Sequence, residues 1–256
     1  MASARLFSLF LRRGGARAND LGRMTLPELV AAYATYPSIV AYVLLALAAV
    51  AGSLWLGALH APLRTLAAVV AALLLYPVAE YLLHRFVLHA RFLYRNPYTA
   101  DLWKRIHYDH HQDPNRLDVL FGSPWNTLPT ILLISLPVGD LIGGWSAALA
   151  ALATALTLFC IYEFCHCVQH LNYTPKSAWL RAIKKHHMAH HFHNETGNFG
   201  ITSTFIDRVV GSHYEGRETR PRSAHTYDLG YDEAEARRYP WVAERSKGAA
   251  GPSGAQ

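Results

Sequence analysis

Ile39 to Leu59, "IVAYVLLALAAVAGSLWLGAL", runs for 21 residues without a charged side chain. A helix rising ~1.5 Å per residue needs about 20 such residues to cross ~30 Å of hydrocarbon, so this stretch predicts a membrane span. Composition agrees: of 256 residues 52% are hydrophobic and 16% charged, and mean hydropathy lies just above zero. That is too apolar for an ordinary soluble domain and too punctuated by charge for a pure membrane bundle.

Further along the chain, Leu66 to Leu83 is apolar apart from Glu80. Leu128 to Gly139 is a short apolar run holding Pro129 and Pro137, and Leu141 to Tyr162 is 22 residues without a charge. The expectation is an all-α integral membrane fold with four transmembrane helices, at about 39–59, 66–83, 125–140 and 141–162. An N-terminal arm (1–37) would precede the membrane domain (38–247), and a short disordered tail (248–256) would follow. The third span is short enough for a re-entrant segment. Counting it as a crossing, paired up-and-down with the fourth, puts both histidine-rich segments on one aqueous side. Arg5, Arg12, Arg13, Arg17 and Arg23 precede the first span, and six basic residues lie between the second and third, whereas the opposite loops hold only Arg64. By the positive-inside rule the N-terminus and the histidine-rich cap are cytoplasmic.

The opening "MASARLFSLFLRRGG" has a short apolar run, Leu6 to Leu11, followed by arginines instead of a small-residue cleavage site. It reads as an amphipathic arm at the membrane surface and not as a signal peptide. Cys160, Cys165 and Cys167 have no C-x-x-C spacing and are read as packed thiols.

The chain carries 15 histidines, and ten fall into four groups: His84 and His89 in "EYLLHRFVLH", His107, His110 and His111 in "HYDHHQDP", His166 and His170 in "CHCVQH", and His187, His190 and His191 in "HHMAHH". At this histidine frequency, H-x-x-H-H arises by accident roughly once in 300 starts, yet it occurs twice. On a helix, positions i, i+3 and i+4 fall within about 100° of arc, so each triplet is expected to aim its three imidazoles at one point. His166 and His170 share a face in the same way. His84 and His89 diverge by about 140° on a regular helix, which calls for a distorted helix, different metals or a bridge from the helix end.

Clustered imidazolium groups would repel, so neutral, ligating rings account for the pattern better than a packed core, and ten exceed the four to six that one ion takes. Two metal ions follow. Glu80 and Glu163, one turn before His84 and His166, are expected to accept the second ring N–H of those ligands. His60, His186, His193, His213 and His225 lack partners at motif spacing and are read as surface or supporting residues.

The order H-x4-H, H-x2-H-H, H-x3-H, H-x2-H-H, with apolar spans before the first and third motifs, resembles the fatty acid hydroxylase and sterol desaturase superfamily of membrane di-metal oxygenases. The resemblance covers about Leu66 to Tyr214. "EYLLHRFVLH", "HYDHHQDP" and "HHMAHHFHNETGNFGITSTFIDRVVGS" are most similar to fatty acid alpha-hydroxylases acting on sphingolipid acyl chains. It implies two iron ions held by the ten histidines, with zinc able to occupy such a site in purified protein. It further implies dioxygen and two external electrons as co-reactants, and a lipid acyl chain within the membrane as substrate. Sterol, carotenoid and ornithine-lipid enzymes of the superfamily share the histidine grid and are the alternatives.

The eukaryotic alpha-hydroxylases carry an H-P-G-G haem signature that this sequence lacks, so the expected electron donor is a separate ferredoxin or b-type cytochrome. A basic surface of Arg91, Arg95, Lys104, Arg105, Lys184 and Lys185 would steer an acidic carrier. No G-x-S-x-G, H-E-x-x-H, Walker A or dinucleotide G-x-G-x-x-G occurs, which removes the signatures of hydrolase, protease and nucleotide-using enzymes. A metal transporter would place ligands near the bilayer midplane, whereas these motifs follow the ends of the spans. The net charge of +6 fits a cytoplasmic membrane surface and calls for no nucleic acid.

Overall fold

The computed structural model describes residues 20–216 and 218–249. The expectations for Leu6 to Leu11 and for the end of the tail fall outside the described residues. Within them every regular element is helical.

Helix α1, Leu26–Thr35, begins where Thr25 donates its backbone N–H to the Glu28 carboxylate at 2.8 Å. Leu21, Met24 and Leu29 bury against Leu117, Leu120 and Phe121 and against Cys167 and Val168. The described half of the N-terminal arm is thus part of the packed fold.

Helices α2, Pro37–Trp55, and α3, Pro62–Leu83, each start on a proline in the first turn, where the missing N–H costs nothing. Three stretches, Pro37–Trp55, Pro62–Arg95 and Leu117–His170, are long and apolar enough to cross a membrane. Their outward side chains include Leu44, Leu47, Leu63, Leu74 and Leu133, all at least 60% exposed. So much exposed leucine on the outside of a helical bundle is a lipid-facing pattern.

The third stretch contains α4, Pro124–His170, which is broken at Gly143 and Gly144; Gly144 has φ 71°, ψ −168°, open to glycine alone. An N-terminal arm up to Gly143 folds back on a C-terminal arm from Gly144. A Cβ on Gly139 would lie 2.5 Å from Ala148 Cα, although nine residues along a straight helix span ~13.5 Å. Sequence reasoning divided the two apolar runs at Asp140 and Leu141; the turn falls at the adjacent glycine pair, the residues that can make it.

Small residues let the helices approach. Ala68 and Ala72 of α3 meet Ala147 and Ala151 of the C-terminal arm, and Tyr42 and Ala49 of α2 pack on Leu152, Ala153 and Leu156. Ser53 Oγ donates to Ser146 O at 2.6 Å, tying α2 to the same arm. Gly139→Val is expected to cost about 1–3 kcal/mol by overpacking the hairpin, with reduced thermal stability of the detergent-purified protein as the measurement.

Above the spans lies a helical cap. Helix α5, Ala178–Phe192, is capped by Ser177, whose Oγ accepts from Leu180 N. Its buried residues are Ile183, His186, His187, His190 and His191, an amphipathic stripe in which imidazole stands where aliphatic side chains normally sit. Helix α6, Phe205–Val210, follows. Helices α7, Glu233–Arg238, and α8, Trp241–Ala249, close the chain against Leu93, Tyr94 and Trp103. Trp241 Nε1 donates to Tyr94 O at 2.6 Å and Tyr94 Oη to Glu235 Oε2 at 2.6 Å.

Candidate metal centre

The ten motif histidines converge as two groups of five. One ligand nitrogen from each of His84, His89, His107, His111 and His190 lies within 4.8 Å of the others, and the same holds for His110, His166, His170, His187 and His191. All are buried except His89, which is partly so.

Each triplet serves both centres, so the expectation of three rings aimed at one point is corrected. Positions i and i+4 differ by about 40° of arc, while i+3 lies about 100° from i+4. His107 and His111 therefore join the first group while His110 turns to the second, and His187 and His191 join the second while His190 turns to the first. Each centre takes one helix-end pair, one i, i+4 pair and one lone i+3 ring, and each triplet links the two.

The five-residue spacing of His84 and His89 is resolved by the backbone. Residues His84–Leu88 form a π-helical turn, with His89 N–H donating to His84 O at 3.2 Å. The wider π turn brings position i+5 back over i, and His84 Nε2 and His89 Nε2 stand 3.2 Å apart. A second π turn, Lys104–Tyr108, places His107, whose Nε2 is 2.8 Å from His89 Nε2. In the second group His166 Nε2 is 3.0 Å from both His110 Nε2 and His187 Nε2, and His187 Nε2 is 2.9 Å from His170 Nε2.

These contacts cannot all be hydrogen bonds, since one N–H per ring cannot serve several acceptors. Two imidazole nitrogens bound at ~2.05 Å to one ion would be about 2.9 Å apart at a right angle and about 3.4 Å apart at a tetrahedral angle. The spacing suits five or six ligands per ion. In the first group the outer nitrogens are committed: His84 Nδ1–H donates to Phe199 O, His111 Nδ1–H to Thr226 O at 2.7 Å and His190 Nδ1–H to Gly197 O at 2.8 Å. A carbonyl only accepts, so the inner Nε2 atoms carry lone pairs. Those of His111 and His190 are buried without a partner among the described residues, and the donor set fits a metal ion at each centre.

Burial pushes His107, His110, His187, His190 and His191 well below the ordinary histidine value. It brings His111 down to about 3 against the opposing bond to Thr226. These rings are neutral at neutral pH, as metal ligation requires. For the metal-free protein the folded values are depressed, so the unfolded chain binds the extra protons. The corresponding stability is fully present above the unfolded value of ~6.5 and is lost as pH falls from there toward about 3 for His111. Chemical denaturation of chelator-treated protein at descending pH is expected to show that decline.

Glu80 and Glu163 do not accept ring N–H groups; the first centre's bonds go to main-chain carbonyls. Glu80 accepts from Ile201 N at 2.6 Å, Thr202 N at 2.9 Å and Thr202 Oγ1 at 2.5 Å. It holds the loop whose carbonyls hold the ligands. Glu163 accepts from Gly122 N at 2.9 Å through Oε1, while its buried Oε2 has no partner among the described residues.

Sequence reasoning missed Asp207. Fully buried, it accepts from Phe199 N at 2.9 Å, Gly200 N at 2.7 Å, Ser212 Oγ at 2.7 Å and His186 Nε2 at 3.1 Å. Burial raises this carboxyl, but those bonds outweigh it and hold the group down at about 2. Asn198, at φ 58°, turns the same loop. The two glycines around "GNFGI" hint at such a turn, whereas nothing local pairs it with an aspartate farther along the chain.

His186 is buried and stacks on His213 at 5.2 Å between ring centroids. His193 Nε2–H donates to Arg220 O at 2.7 Å, His225 Nδ1 lies 2.9 Å from Asp228 Oδ1, and His60 is exposed. None of these five joins either group. Much of the expected basic surface is spent internally. Lys184 Nζ caps the end of α4 by donating to Leu171 O at 2.5 Å and Tyr173 O at 3.0 Å, Arg105 donates to Asp118 O at 2.8 Å, and Lys104 and Arg95 pair with Asp109 and Glu235.

A cavity of about 270 Å³ runs between α3 and the two arms of α4 and reaches His84 and His107 of the first group and His110, His166 and His187 of the second. Apart from Glu80, Arg105, Glu163, those histidines and a few hydroxyl and amide groups its wall is aliphatic and aromatic, as an apolar ligand requires.

Comparison with known proteins converges on one family. Residues 69–212 match the fatty acid hydroxylase model. The chain is 30% identical over 145 residues, 54% of its length, to a dihydroceramide fatty acyl 2-hydroxylase of Arabidopsis thaliana, and 28% identical over 140 residues, 52% of its length, to the fatty acid 2-hydroxylase of Homo sapiens. The matches span 57% and 36% of those relatives. The hydroxylase domain in a structure of full-length scs7p superposes with a TM-score of 0.56 at 25% identity, covering 72% of this chain and 67% of that one. With the matched segment holding all ten clustered histidines, the chain belongs to the fatty acid hydroxylase family.

Proposed function

We propose that this chain is a membrane di-iron oxygenase that hydroxylates the acyl chain of a fatty acid or acylated lipid at the alpha carbon. The observation that carries the reading is the apolar cavity ending on histidines of both five-imidazole groups. The relatives' names, fatty acid 2-hydroxylase and dihydroceramide fatty acyl 2-hydroxylase, supply the position of attack.

The iron ions would be held by His84, His89, His107, His111 and His190 in one centre and by His110, His166, His170, His187 and His191 in the other. Ligand spacings near those of right-angled coordination favour iron over zinc, which prefers four tetrahedral ligands. When bound, such a pair supplies the oxidising power that an unactivated C–H bond demands, with dioxygen and two electrons consumed. The chain's own part is placement. Main-chain carbonyls of Gly197, Phe199 and Thr226 fix the ring orientations, α3 and the arms of α4 hold the acyl chain extended, and the apolar wall keeps water from the reacting carbon.

In this reading the two arms of α4 both cross the bilayer, making four spans with the cap and the N-terminus cytoplasmic. Electrons come from a separate ferredoxin or b-type cytochrome; Lys185, exposed on α5, remains available for its approach. The deciding experiment is lipid mass spectrometry of cells with and without the gene. Loss of 2-hydroxylated acyl chains, restored by the native chain and dependent on oxygen and iron, is the expected result. An unchanged lipid profile, with metal-loaded protein present, would overturn it.

A further inference from the structure

Away from the histidines the lining of the cavity ends where α3 and the two arms of α4 meet through a set of alanines and one glycine. The lining residues farthest from the metal groups are Ala72 on α3, Val138 on the N-terminal arm and Ala151 on the C-terminal arm. Beyond them Ala68 and Ala147, both with no exposed surface, pack on Ala72 and Ala151. Between the arms, a Cβ on Gly139 would lie 2.7 Å from Ala147 O and 2.5 Å from Ala148 Cα, so no space continues there. The helices meet because their side chains are small, and the same contact that joins them ends the cavity.

We propose that Ala72 and Ala151 form the floor of an acyl-chain ruler, setting the longest chain whose reacting carbon reaches the metal centres; this rests on the acyl-hydroxylase reading above. Ala72 precedes His84 by 12 residues and Ala151 precedes His166 by 15, which puts the floor ~18 to 22 Å below the ligands at ~1.5 Å per residue. With C–C bonds of ~1.5 Å an all-trans chain advances roughly 1.25 Å per carbon, so the cavity takes about 14 to 18 carbons. A longer chain meets the alanine contact before its second carbon is in place.

The wall above the floor gives the ruler its graduations. Ala79, also on α3 and lining the cavity, precedes His84 by five residues, ~7.5 Å. Ala68 sits below the floor in the same helix contact as Ala72 but does not line the cavity. A substitution to leucine at each position thus separates depth in the cavity from damage to helix packing.

The test uses the full chain in detergent, loaded with metal and offered a graded series of saturated fatty acids. The readouts are the lengths retained on the purified protein, by mass spectrometry, and the lengths 2-hydroxylated with reduced carrier and oxygen. Ala72→Leu is expected to lower the longest accepted chain by about four carbons, roughly one helical turn of ~5.4 Å, at unchanged metal content. Ala79→Leu is expected to exclude all but the shortest chains. Ala68→Leu is expected to lower thermal stability and leave the length profile where it was. An unchanged limit in Ala72→Leu, an equal loss at every length, or the same shift in Ala68→Leu would overturn the ruler. If the native chain retains fatty acids up to a sharp limit but hydroxylates none of them, the ruler stands and the hydroxylase reading falls.

Discussion

Purified His190→Ala protein is expected to hold about one metal ion fewer than the native chain, and to lose turnover by more than the ~10- to 100-fold that changes in a ligand's supporting bonds cost. His190 is the single α5 ring in the first centre, and its Nδ1–H is spent on Gly197 O, so its only role toward the metal is the inward Nε2. His111→Ala, the same centre's ring held by Thr226 O, should behave alike. His60→Ala and His225→Ala should retain both ions and full turnover, because neither ring joins a group. Elemental analysis with turnover on the four variants is the measurement. Equal losses in all four would mean that the histidines act through folding and not as ligands.

Asp207→Ala should be more damaging to the fold than any single ligand change. The carboxylate accepts four hydrogen bonds in a fully buried place. Removing it orphans the N–H groups of Phe199 and Gly200 and the His186 ring Nε2–H, at about 1–3 kcal/mol for each donor left dry, and leaves the Ser212 hydroxyl to Tyr81 Oη. The loop it anchors carries the carbonyls that orient His84 and His190, so the first centre should lose metal affinity about 10- to 100-fold while the second, whose five ligands do not lean on that loop, keeps its ion. Titration with a metal chelator, followed by elemental analysis, distinguishes the two centres. Simultaneous release of both ions would show that the loop supports the whole cap.

The helical membrane architecture and the identity of the clustered histidines were legible in the chain because both rest on local rules. Twenty-one uncharged residues need nothing but the length of a helix to read as a span, and two copies of H-x-x-H-H with the pairs His84/His89 and His166/His170 single out, by composition and spacing alone, the ten histidines that cluster. The turn between the third and fourth apolar runs was readable to within a few residues, since the charged Asp140 interrupts them close to the glycine pair that makes it.

How the ligands divide was not legible. The 100° step of a helix puts each triplet on one side but leaves a spread wide enough for two targets, and only the position of the neighbouring helices decides which ring goes where. Nor could spacing reveal the π turn at His84–Leu88, which depends on one extra residue being accommodated in the helix under tertiary pressure. The supporting bonds were misjudged for a related reason: Glu80 and Glu163 stand one turn from His84 and His166 in sequence, yet His84 and His111 reach carbonyls at Phe199 and Thr226, each 115 residues away and adjacent only after folding, and His190 reaches Gly197 beyond the end of its own helix.

By itself, then, the sequence determined that this is a helical membrane protein with ten imidazoles in four closely spaced motifs, because hydrophobic length and residue chemistry act along the chain. The tertiary structure alone decided the five-and-five partition, the hold of Glu80 on the Ile201 and Thr202 loop and the alanine contact of α3 with α4, because each arises where segments distant in sequence compete for the same few ångströms.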